Sequence, residues 1–389
     1  MSTDSYDAVV IGGGIHGAGV AQAAAAAGYS ALLLERKGVG SGTSSRSSKL
    51  IHGGLRYLES AQFGLVRESL HEREILLRIA PELVQPVAFF IPVYTFTQRR
   101  PLTIRAGLIL YAVLGGLSRG ARFETIPRAQ WNELDGLDTR QLQKVFRYED
   151  AHTDDALLTQ AVVRSAQKLG ATLHCPADFQ SASRNGNGYE IRYLRDNTEI
   201  TCHARTLVNA AGPWVNLTLE RVTPRPPIVP VDLVQGAHIV VEGETRRGVY
   251  YLEAPRDRRA VFVMPWQGQT LVGTTETPFA GNPAGAQPLP DEIGYLQEIV
   301  ARYFPDRRNR LLDSFAGLRV LPREPGPVFH RSRETILHPD DPMQVRLVTI
   351  YGGKLTGYRA TAAKVIRLLK TSLPARPPIA DTATVSLLP

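Results

Sequence analysis

Residues 9–19, "VVIGGGIHGAG", decide the fold of this chain. The apolar residues before the glycines predict a buried strand, and the small apolar residues after them predict a helix. Gly12, Gly14 and Gly17 form a G-x-G-x-x-G pattern at the junction. Glycines at these positions allow a tight turn and let backbone N–H groups at the helix N-terminus approach a pyrophosphate. The stretch therefore predicts a βαβ unit that binds a dinucleotide.

A second predicted strand, residues 31–35, ends at an acidic side chain. Glu35 is placed to accept a hydrogen bond from a ribose hydroxyl. Its carboxylate disfavours NADP because it would repel a 2′-phosphate, although the neighbouring Arg36 would attract one. The combination of strand, glycines, helix and acidic residue is specific for a dinucleotide, but it does not distinguish NAD from FAD.

Three further motifs favour FAD. "LVNAAGPWV" (207–215) carries a strand into an Ala-Gly pair where backbone can approach a cofactor closely. "IYGGKLTGY" (350–358) is a second strand–glycine–helix junction, and its helix N-terminus would favour a reduced flavin anion. "GTSSRSSK" (42–49) is a hydroxyl-rich loop placed to surround a cofactor. The predicted cofactor contacts are Gly12, Gly14, Ile15, His16, Gly17, Glu35, Arg36, Thr43, Ser44, Ser47, Ser48, Lys49, Leu50, His52, Gly53, Gly54, Ala211, Gly212, Gly353, Lys354, Leu355 and Thr356.

The order of the predicted elements indicates two domains, with the chain passing between them more than once. A dinucleotide-type unit opens the chain, strand-rich segments fill the middle, and a strand–Gly-Gly–helix unit follows them. We predict a discontinuous FAD-binding domain of residues 1–90, 150–220 and 340–389. The substrate-binding domain is predicted to comprise residues 91–149 and 221–339.

The composition is that of an ordinary globular protein with a basic surface. The 389 residues carry a formal net charge of +8, which favours anionic ligands or an anionic lipid surface. Two cysteines, Cys175 and Cys202, suit a reducing cytoplasm, and no spacing suggests a metal site. The N-terminus leads directly into a strand, so no signal peptide is expected.

One apolar segment, residues 106–117, is too short to span a bilayer. It predicts either a buried helix or a helix that lies in a membrane interface. We predict peripheral attachment to the cytoplasmic face of the inner membrane, with Arg99, Arg100 and Arg105 near anionic lipid.

A longer motif carries a family resemblance. "TSSRSSKLIHGGLRYLE" (43–59), together with the glycine motifs above, resembles the FAD-dependent glycerol-3-phosphate dehydrogenases of the aerobic respiratory type. The resemblance covers nearly the whole chain. It implies an α/β fold with a Rossmann-like FAD-binding domain plus an α+β substrate domain with an antiparallel sheet. It also implies oxidation of sn-glycerol 3-phosphate to dihydroxyacetone phosphate, with electrons passing through FAD to a quinone.

Members of that family usually carry a further helical domain at the C-terminus. This sequence stops soon after its last predicted helix, so the expectation is a short form of the family. That departure leaves open the mode of membrane attachment, the fine choice of substrate and the oligomeric state, a homodimer included.

The resemblance also implies a substrate site. The matching residues are Arg56, Tyr57, His238, Arg319, Arg333 and Lys354. Guanidinium groups bind a phosphate through paired, charge-assisted hydrogen bonds, which suits Arg56, Arg319 and Arg333. For catalysis, His238 is the first choice of base for the hydroxyl proton, and His330 is the rival. Arg319 and Lys354 would stabilise developing negative charge.

Three other interpretations of the residues stay open. The same fold could act on a 2-hydroxyacid or an amino acid, because arginines bind carboxylates as well as phosphates. The basic charge could serve RNA binding by a flavoprotein, although the scattered cations make nucleic acid the less favoured partner. The chain could also be an inactive homologue that takes up no FAD.

Overall fold

The computed structural model describes residues 4–117, 122–186, 188–323 and 334–388. The helices in this part of the chain are α1 (Ile15–Ala26), α2 (Phe63–Ile79), α3 (Pro101–Leu114), α4 (Asp155–Lys168), α5 (Val215–Leu219), α6 (Pro290–Tyr303) and α7 (Tyr358–Leu369). The strands are β1 (Ser5–Ile11), β2 (Ala31–Leu34), β3 (Leu50–Ile51), β4 (Val84–Tyr94), β5 (Phe123–Thr125), β6 (Leu142–Thr153), β7 (Thr172–His174), β8 (Asp178–Asn185), β9 (Gly188–Arg195), β10 (Thr198–Asn209), β11 (Val222–Thr223), β12 (Val231–Val241), β13 (Val249–Glu253), β14 (Ala260–Trp266), β15 (Gln269–Gly273), β16 (Thr277–Phe279), β17 (Leu311–Pro322), β18 (Ile336–Pro339) and β19 (Leu347–Tyr351).

The first sheet is built around the predicted βαβ unit. Strand β1 pairs in parallel with β2 and β10, and β2 continues in parallel to β7. The second half of β10 pairs in parallel with β19, whereas its first half pairs with the antiparallel β8–β9 hairpin. Helices α1, α4 and α7 bury one face of the sheet, and apolar side chains of β8 and β9 pack on the other. Burial of both faces explains why β1 and β2 are almost continuously apolar.

The second sheet is mainly antiparallel. Its strands follow the order β16-β12-β15-β14-β13-β4-β6-β3, with β17 paired to β12 and β5 paired to β6. Successive residues of β4 point to opposite faces, as in any strand: Phe90 packs towards α6, and Phe89 and Ile91 pack towards α2 and α3. The sheet therefore has an apolar core on each side.

The chain crosses between the two sheets four times in the described residues. Strands β1 and β2 belong to the first sheet, β3–β6 to the second, β7–β11 to the first, β12–β17 to the second, and β18 and β19 to the first. The predicted fold class is confirmed. The exact domain boundaries stay a prediction.

Helix α3 contains the apolar segment that the sequence singles out. Ile104 and Leu108 are buried against the second sheet, whereas Leu102 and Val113 are 79% and 56% exposed. Arg99, predicted to lie near lipid, instead forms ion pairs with Glu59 and Glu253 and is largely buried. Among the described residues, no helix combines the length and the apolar character needed to cross a bilayer.

The packing of α1 against its own phosphate loop yields a test. A Cβ atom on Gly17 would lie 1.8 Å from the carbonyl oxygen of Gly12, so we expect Gly17→Ala to push α1 away from β1. We predict a loss of more than about 2 kcal/mol in the free energy of unfolding, because the clash is with backbone and cannot relax locally. Urea titration of the purified variant measures the loss.

Gly107→Ala is the matched control. Gly107 is also helical, in α3, and a Cβ atom added there would meet no neighbouring group of the described chain within 4 Å. Alanine favours a helix over glycine by about 1 kcal/mol, so this variant should be as stable as the parent or more so. Equal losses in both variants would show that contact with Gly12 is not the cause.

Candidate active site

A cavity of about 1130 Å³ lies between the two sheets. On one side it is lined by the turn after β1, the loop of residues 41–48 and the turn after β10. On the other side it is lined by β12, β14 and β17 of the second sheet. Residues 352–356, which precede α7, close it from a third direction. The predicted site residues that line this cavity therefore come from distant parts of the chain.

The turn after β1 forms a cradle without side chains. Gly12 has a φ of +103°, and a Cβ atom there would lie 2.6 Å from the carbonyl oxygen of Ala210. Gly14 precedes the first residue of α1, so the helix begins at the cavity wall. The N–H group of Ile15 donates to Ser44 Oγ at 2.9 Å. The cradle presents backbone donors and the positive end of a helix dipole, both of which suit a pyrophosphate.

Glu35 lies beside this cradle at the end of β2. Its Oε2 atom accepts from the Gly13 N–H at 2.7 Å, and Oε1 accepts from the N–H groups of Lys37 and Gly38. A carboxylate offers about four acceptor positions, so a position remains for a ribose hydroxyl. The side chain is thus fixed in orientation before any ligand arrives.

The far wall at this end is aromatic. The guanidinium carbon of Arg36 lies 5.3 Å from the centre of the Trp214 ring. Trp214 is half-buried and lines the cavity. It lies in the turn after β10, which opens at the carboxyl edge of the parallel strands.

Three predicted cofactor residues, Gly17, Lys49 and Gly53, do not line the cavity. Gly17 serves the packing of α1 described above. Gly53 is seated against α2 and α3, because a Cβ atom there would lie 2.5 Å from the Tyr111 hydroxyl and 2.7 Å from Leu70. The requirement for glycine at this position is therefore set by the protein interior, and not by clearance for a ligand.

Lys49 is directed away from the cavity by a buried ion pair. Its Nζ atom lies 2.6 Å from Asp155 Oδ1 and donates to the Ser45 carbonyl at 3.0 Å. The Oδ2 atom of Asp155 accepts from both the N–H and the hydroxyl of Ser47. Lys49 thus fixes the shape of the 43–49 loop from behind, and its ammonium is not presented to a cofactor.

The second-sheet end of the cavity contains a cluster of cations. Arg319 and Arg259 share one carboxylate, that of Glu276, at 3.4 and 3.3 Å. Burial, and after it the positive charges of Arg56 and Arg259, lower the pKa of Arg319 to about 10. Arg333 and His330 lie outside the described residues, so their places in this cluster stay predictions.

Tyr57 lies between two cations at the cavity wall. The Arg56 guanidinium carbon is 5.1 Å from the centre of its ring, and Lys354 Nζ is 3.7 Å from it. The ring sits over Gly54, whose φ is +79° and whose Cβ position would be 2.3 Å from the ring. Because residue 54 is a glycine, the Tyr57 ring can pack over it and contact both Arg56 and Lys354, which are far apart in sequence.

Three histidines at the cavity are held neutral. Burial lowers the pKa of His16 to about 4. Burial lowers the pKa of His52 to about 3, assisted by the charge of Lys354. Burial likewise lowers the pKa of His238 to about 3, assisted by the charge of Arg319. At neutral pH all three imidazoles are therefore unprotonated.

His238 is the most confined of the three. It is 2% exposed, its ring stacks on Phe315, and its Nε2 atom is 2.9 Å from Ser48 Oγ. A Cβ atom on Gly273 would lie 2.1 Å from the imidazole, so β15 must carry a glycine beside it. The Ser48 contact joins the hydroxyl-rich loop of the first sheet to β12 of the second.

Comparisons with known proteins agree with this geometry. The FAD dependent oxidoreductase (DAO) family matches residues 7–361. Over 380 residues the chain is 36% identical to D-erythritol 1-phosphate dehydrogenase of Brucella abortus, covering 95% of this chain and 75% of that protein. Over 379 residues it is 37% identical to glycerol-3-phosphate dehydrogenase of Pseudomonas aeruginosa, covering 94% and 72%. The chain belongs to the family of FAD-dependent glycerol-3-phosphate dehydrogenases.

A solved structure from the same family extends the comparison to the fold. Glycerol-3-phosphate dehydrogenase from Bacillus halodurans, complexed with FAD, superimposes with a TM-score of 0.77 at 27% identity. The match covers all of this chain and 68% of that one. The protein is therefore an FAD-dependent oxidoreductase, as the resemblance of residues 43–59 implies.

The residues present fit FAD. Gly12 and Gly14 place no side chain between the α1 N-terminus and the cavity, and Ser44 of the hydroxyl-rich loop is bonded to the helix there. Both nitrogens of the His16 ring are buried and have no hydrogen-bond partner within the described ranges. A Cβ atom on Gly353 would lie 2.0 Å from that ring, so the backbone after β19 also approaches closely. Buried polar atoms without partners at a bare backbone cradle are expected where a ligand completes the hydrogen bonding.

Several site residues have no counterpart in the sequence predictions. Glu292 of α6 accepts from the Thr275 and Thr277 hydroxyls at 2.6 Å each, and from Gln235 at 2.6 Å. It therefore fixes the segment that contains Glu276. Arg259 precedes β14, Glu276 precedes β16 and Glu292 lies in α6. Because no local motif joins the three, no signal in a single sequence brings them together.

The buried histidines predict a pH dependence of stability. The pKa of His238 is about 3 in the folded protein and about 6.5 when unfolded, so the unfolded state binds the extra proton between these values. Stability contributed by this group is present above pH 6.5 and is lost as the pH falls. Averaged over pH 5 to 7, we predict that His238→Gln lowers the slope of the free energy of unfolding against pH by about 1 kcal/mol per pH unit. Urea titrations from pH 5 to 7 measure it.

The exposed His71 provides the control for this measurement. His71→Gln makes the same replacement on the surface, away from the cavity. A His238→Gln slope that equals that of the parent would contradict the buried neutral imidazole.

Proposed function

We propose that the protein oxidises the secondary alcohol of sn-glycerol 3-phosphate to give dihydroxyacetone phosphate. The observation that carries the proposal is the cation cluster at the second-sheet end of the cavity. Arg319 and Arg259 share the carboxylate of Glu276, and Arg56 adds a third guanidinium nearby. Two of these guanidinium groups, Arg319 and Arg56, line the cavity, so the cluster favours an anionic ligand with several acceptor oxygens.

A phosphate monoester meets this requirement better than a carboxylate. It carries close to two negative charges at neutral pH and offers three acceptor oxygens. A 2-hydroxyacid or amino acid would bring a single charge from its carboxylate. The depressed pKa of Arg319 supports the same choice, because burial and its cationic neighbours destabilise the guanidinium until an anion enters.

The proton of the substrate hydroxyl requires a neutral base. When bound, FAD supplies the acceptor for the hydride that leaves carbon. We assign the proton to His238, whose imidazole is neutral because burial and the Arg319 charge hold its pKa near 3. A bound dianion would raise that pKa towards the working range, since it offsets the charge of Arg319. Lys354 lies where its charge can stabilise the developing alkoxide.

A second substrate is favoured by one relative. The Brucella abortus protein, 36% identical, is named for D-erythritol 1-phosphate. That compound is also a phosphate monoester of a polyol, so the cation cluster suits both. Discrimination between glycerol 3-phosphate and erythritol 1-phosphate would then depend on the cavity wall around the hydroxyl groups farthest from the phosphate.

Anaerobic reduction of the flavin tests the proposal. The purified holoenzyme is mixed with glycerol 3-phosphate, erythritol 1-phosphate, glycerol, 2-hydroxyglutarate or an amino acid, and flavin absorbance is followed. We expect bleaching by glycerol 3-phosphate at the lowest concentration and none at that concentration by glycerol. Bleaching by 2-hydroxyglutarate or the amino acid, with glycerol 3-phosphate inert, would overturn the proposal. Faster bleaching by erythritol 1-phosphate would replace the substrate within the same class.

Arg56→Ala sharpens this test. Removing a charge-assisted phosphate contact costs about 1.5–3 kcal/mol, which corresponds to a rise of about 10- to 150-fold in the glycerol 3-phosphate concentration required. FAD content should stay at that of the parent. Arg140→Ala is the control, because Arg140 is exposed and paired with Asp138 away from the cavity. An Arg56→Ala protein that purifies without FAD would assign Arg56 to the cofactor instead.

We further propose that α3 lies on an anionic membrane surface on the cytoplasmic side and that a quinone there accepts the electrons. The exposed apolar side chains Leu102, Ile109 and Val113 lie on α3 together with the exposed Arg105. An apolar helix face flanked by cations is the pattern of an interfacial helix.

Co-sedimentation with anionic vesicles tests the α3 proposal. Each arginine near an anionic surface contributes about 1 kcal/mol, so Arg100→Ala/Arg105→Ala should weaken vesicle binding by about 30-fold. Arg192→Ala/Arg225→Ala, two exposed arginines elsewhere, is the control. Binding that is equally strong in both double variants would exclude α3 as the contact. Reoxidation of the bleached flavin by a short-chain quinone, faster than by oxygen, would support the acceptor.

A further inference from the structure

We propose that Tyr111 is a positioning residue that holds the segment His52–Tyr57 in place for phosphate binding. It lies on α3 and does not line the cavity. The inference rests on the proposed function only in naming phosphate as the ligand of Arg56. The structural part of the inference, that Tyr111 holds this segment in position, rests only on the hydrogen bonds described below.

The hydroxyl of Tyr111 makes two buried hydrogen bonds. It lies 2.7 Å from Asp150 Oδ2 and 2.8 Å from the backbone nitrogen of Gly53. Asp150 is 2% exposed and forms an ion pair with Arg73 of α2. The Gly53 N–H can only donate, so the Tyr111 oxygen accepts from it and the phenol proton is donated to Asp150. The direction of the whole chain of bonds is fixed.

The segment is held by its backbone at two adjacent residues. The His52 N–H donates to Thr356 Oγ1 at 3.1 Å, and the Gly53 N–H donates to Tyr111. The first anchor belongs to the turn before α7 and the second to α3. Gly54 follows with a φ of +79°, a conformation that directs the chain into the next turn.

The residues after these anchors reach the cation cluster. Residues 55–58 form a short 3-10 turn that carries Arg56 and Tyr57. Tyr57 contacts Lys354 through its ring, and the charge of Arg56 acts on Arg319. A shift of the Gly53 backbone would therefore move a guanidinium and an aromatic ring together.

Tyr111→Phe removes the hydroxyl and keeps the ring. The Gly53 N–H then loses its buried acceptor. Because this N–H can regain a hydrogen-bond partner only by moving, the variant favours displacement of the segment His52–Tyr57. We expect the dissociation constant for inorganic phosphate, measured by calorimetry on the holoenzyme, to rise about fivefold or more. The KM for glycerol 3-phosphate should rise by a similar factor while kcat changes less than about twofold, because the hydride and proton acceptors are not displaced.

Tyr303→Phe is the matched control. Tyr303 is equally buried and donates to the Glu253 carbonyl, in the core on the α6 side of the second sheet. It should lose comparable stability without any change in phosphate affinity. If both variants weaken phosphate binding equally, the Tyr111 effect is general loosening and the inference is wrong. If Tyr111→Phe binds phosphate as the parent does, the inference is also wrong.

Deuterium exchange separates this inference from the proposed function. In the ligand-free holoenzyme, a peptide covering residues 50–58 should exchange faster in Tyr111→Phe than in the parent or in Tyr303→Phe. Unchanged exchange overturns the positioning role whatever the substrate is. The opposite result is also possible: Tyr111→Phe exchanges faster, but the parent neither binds phosphate nor is reduced by glycerol 3-phosphate. That result would retain the positioning role of Tyr111 and overturn the proposed function.

Discussion

The cavity depends on the buried ion pair between Lys49 and Asp155. Two charges removed from water are stable only when other groups bond to them, and here the carboxylate also accepts from Ser47 and the ammonium also donates to Ser45. Asp155 begins α4, so the helix dipole favours its carboxylate, and Ser47 completes its second oxygen. The Lys49–Asp155 pair holds the hydroxyl-rich loop, residues 42–49, in place beside the first sheet. Ser48, next along that loop, then reaches His238 of the second sheet. One buried carboxylate thus sets the distance between the cofactor side and the substrate side.

The two ends of the cavity use opposite electrostatic means. At the first sheet, the cradle offers uncharged backbone donors and a helix end, and Glu35 is already engaged by N–H groups. At the second sheet, guanidinium groups are crowded around a shared carboxylate. The same crowding helps to keep His238 unprotonated. On the proposed function, an incoming dianion would stabilise the cations and raise the pKa of His238 together, so substrate binding would prepare the proton acceptor.

The sequence predicts those parts of the site whose residues lie close together along the chain. The glycines of the cradle, Glu35 and the strand–glycine–helix junction before α7 are recognisable because their spacing has a local physical meaning. Lys49 illustrates the limit: its residue type suggests a phosphate contact, but its partner Asp155 is 106 residues away and decides its direction. The long-range contacts of Glu292 have no such signal, because Gln235 of β12 and the Thr275–Thr277 segment reach it only in the folded chain.

This division also explains how one fold can serve related polyol phosphates. The cofactor side is built largely from backbone, so side-chain replacement changes it little. The substrate side is built from side chains on β12 and β17 and on the segment that contains Glu276, and Glu292 holds that segment from behind. Because Glu276 bridges two guanidinium groups, a change in its position alters both at once. On the proposed function, a shift of the Glu276 segment would rearrange Arg319 and Arg259 for a longer polyol phosphate, whereas Arg56 is anchored on a different part of the chain and would stay in place.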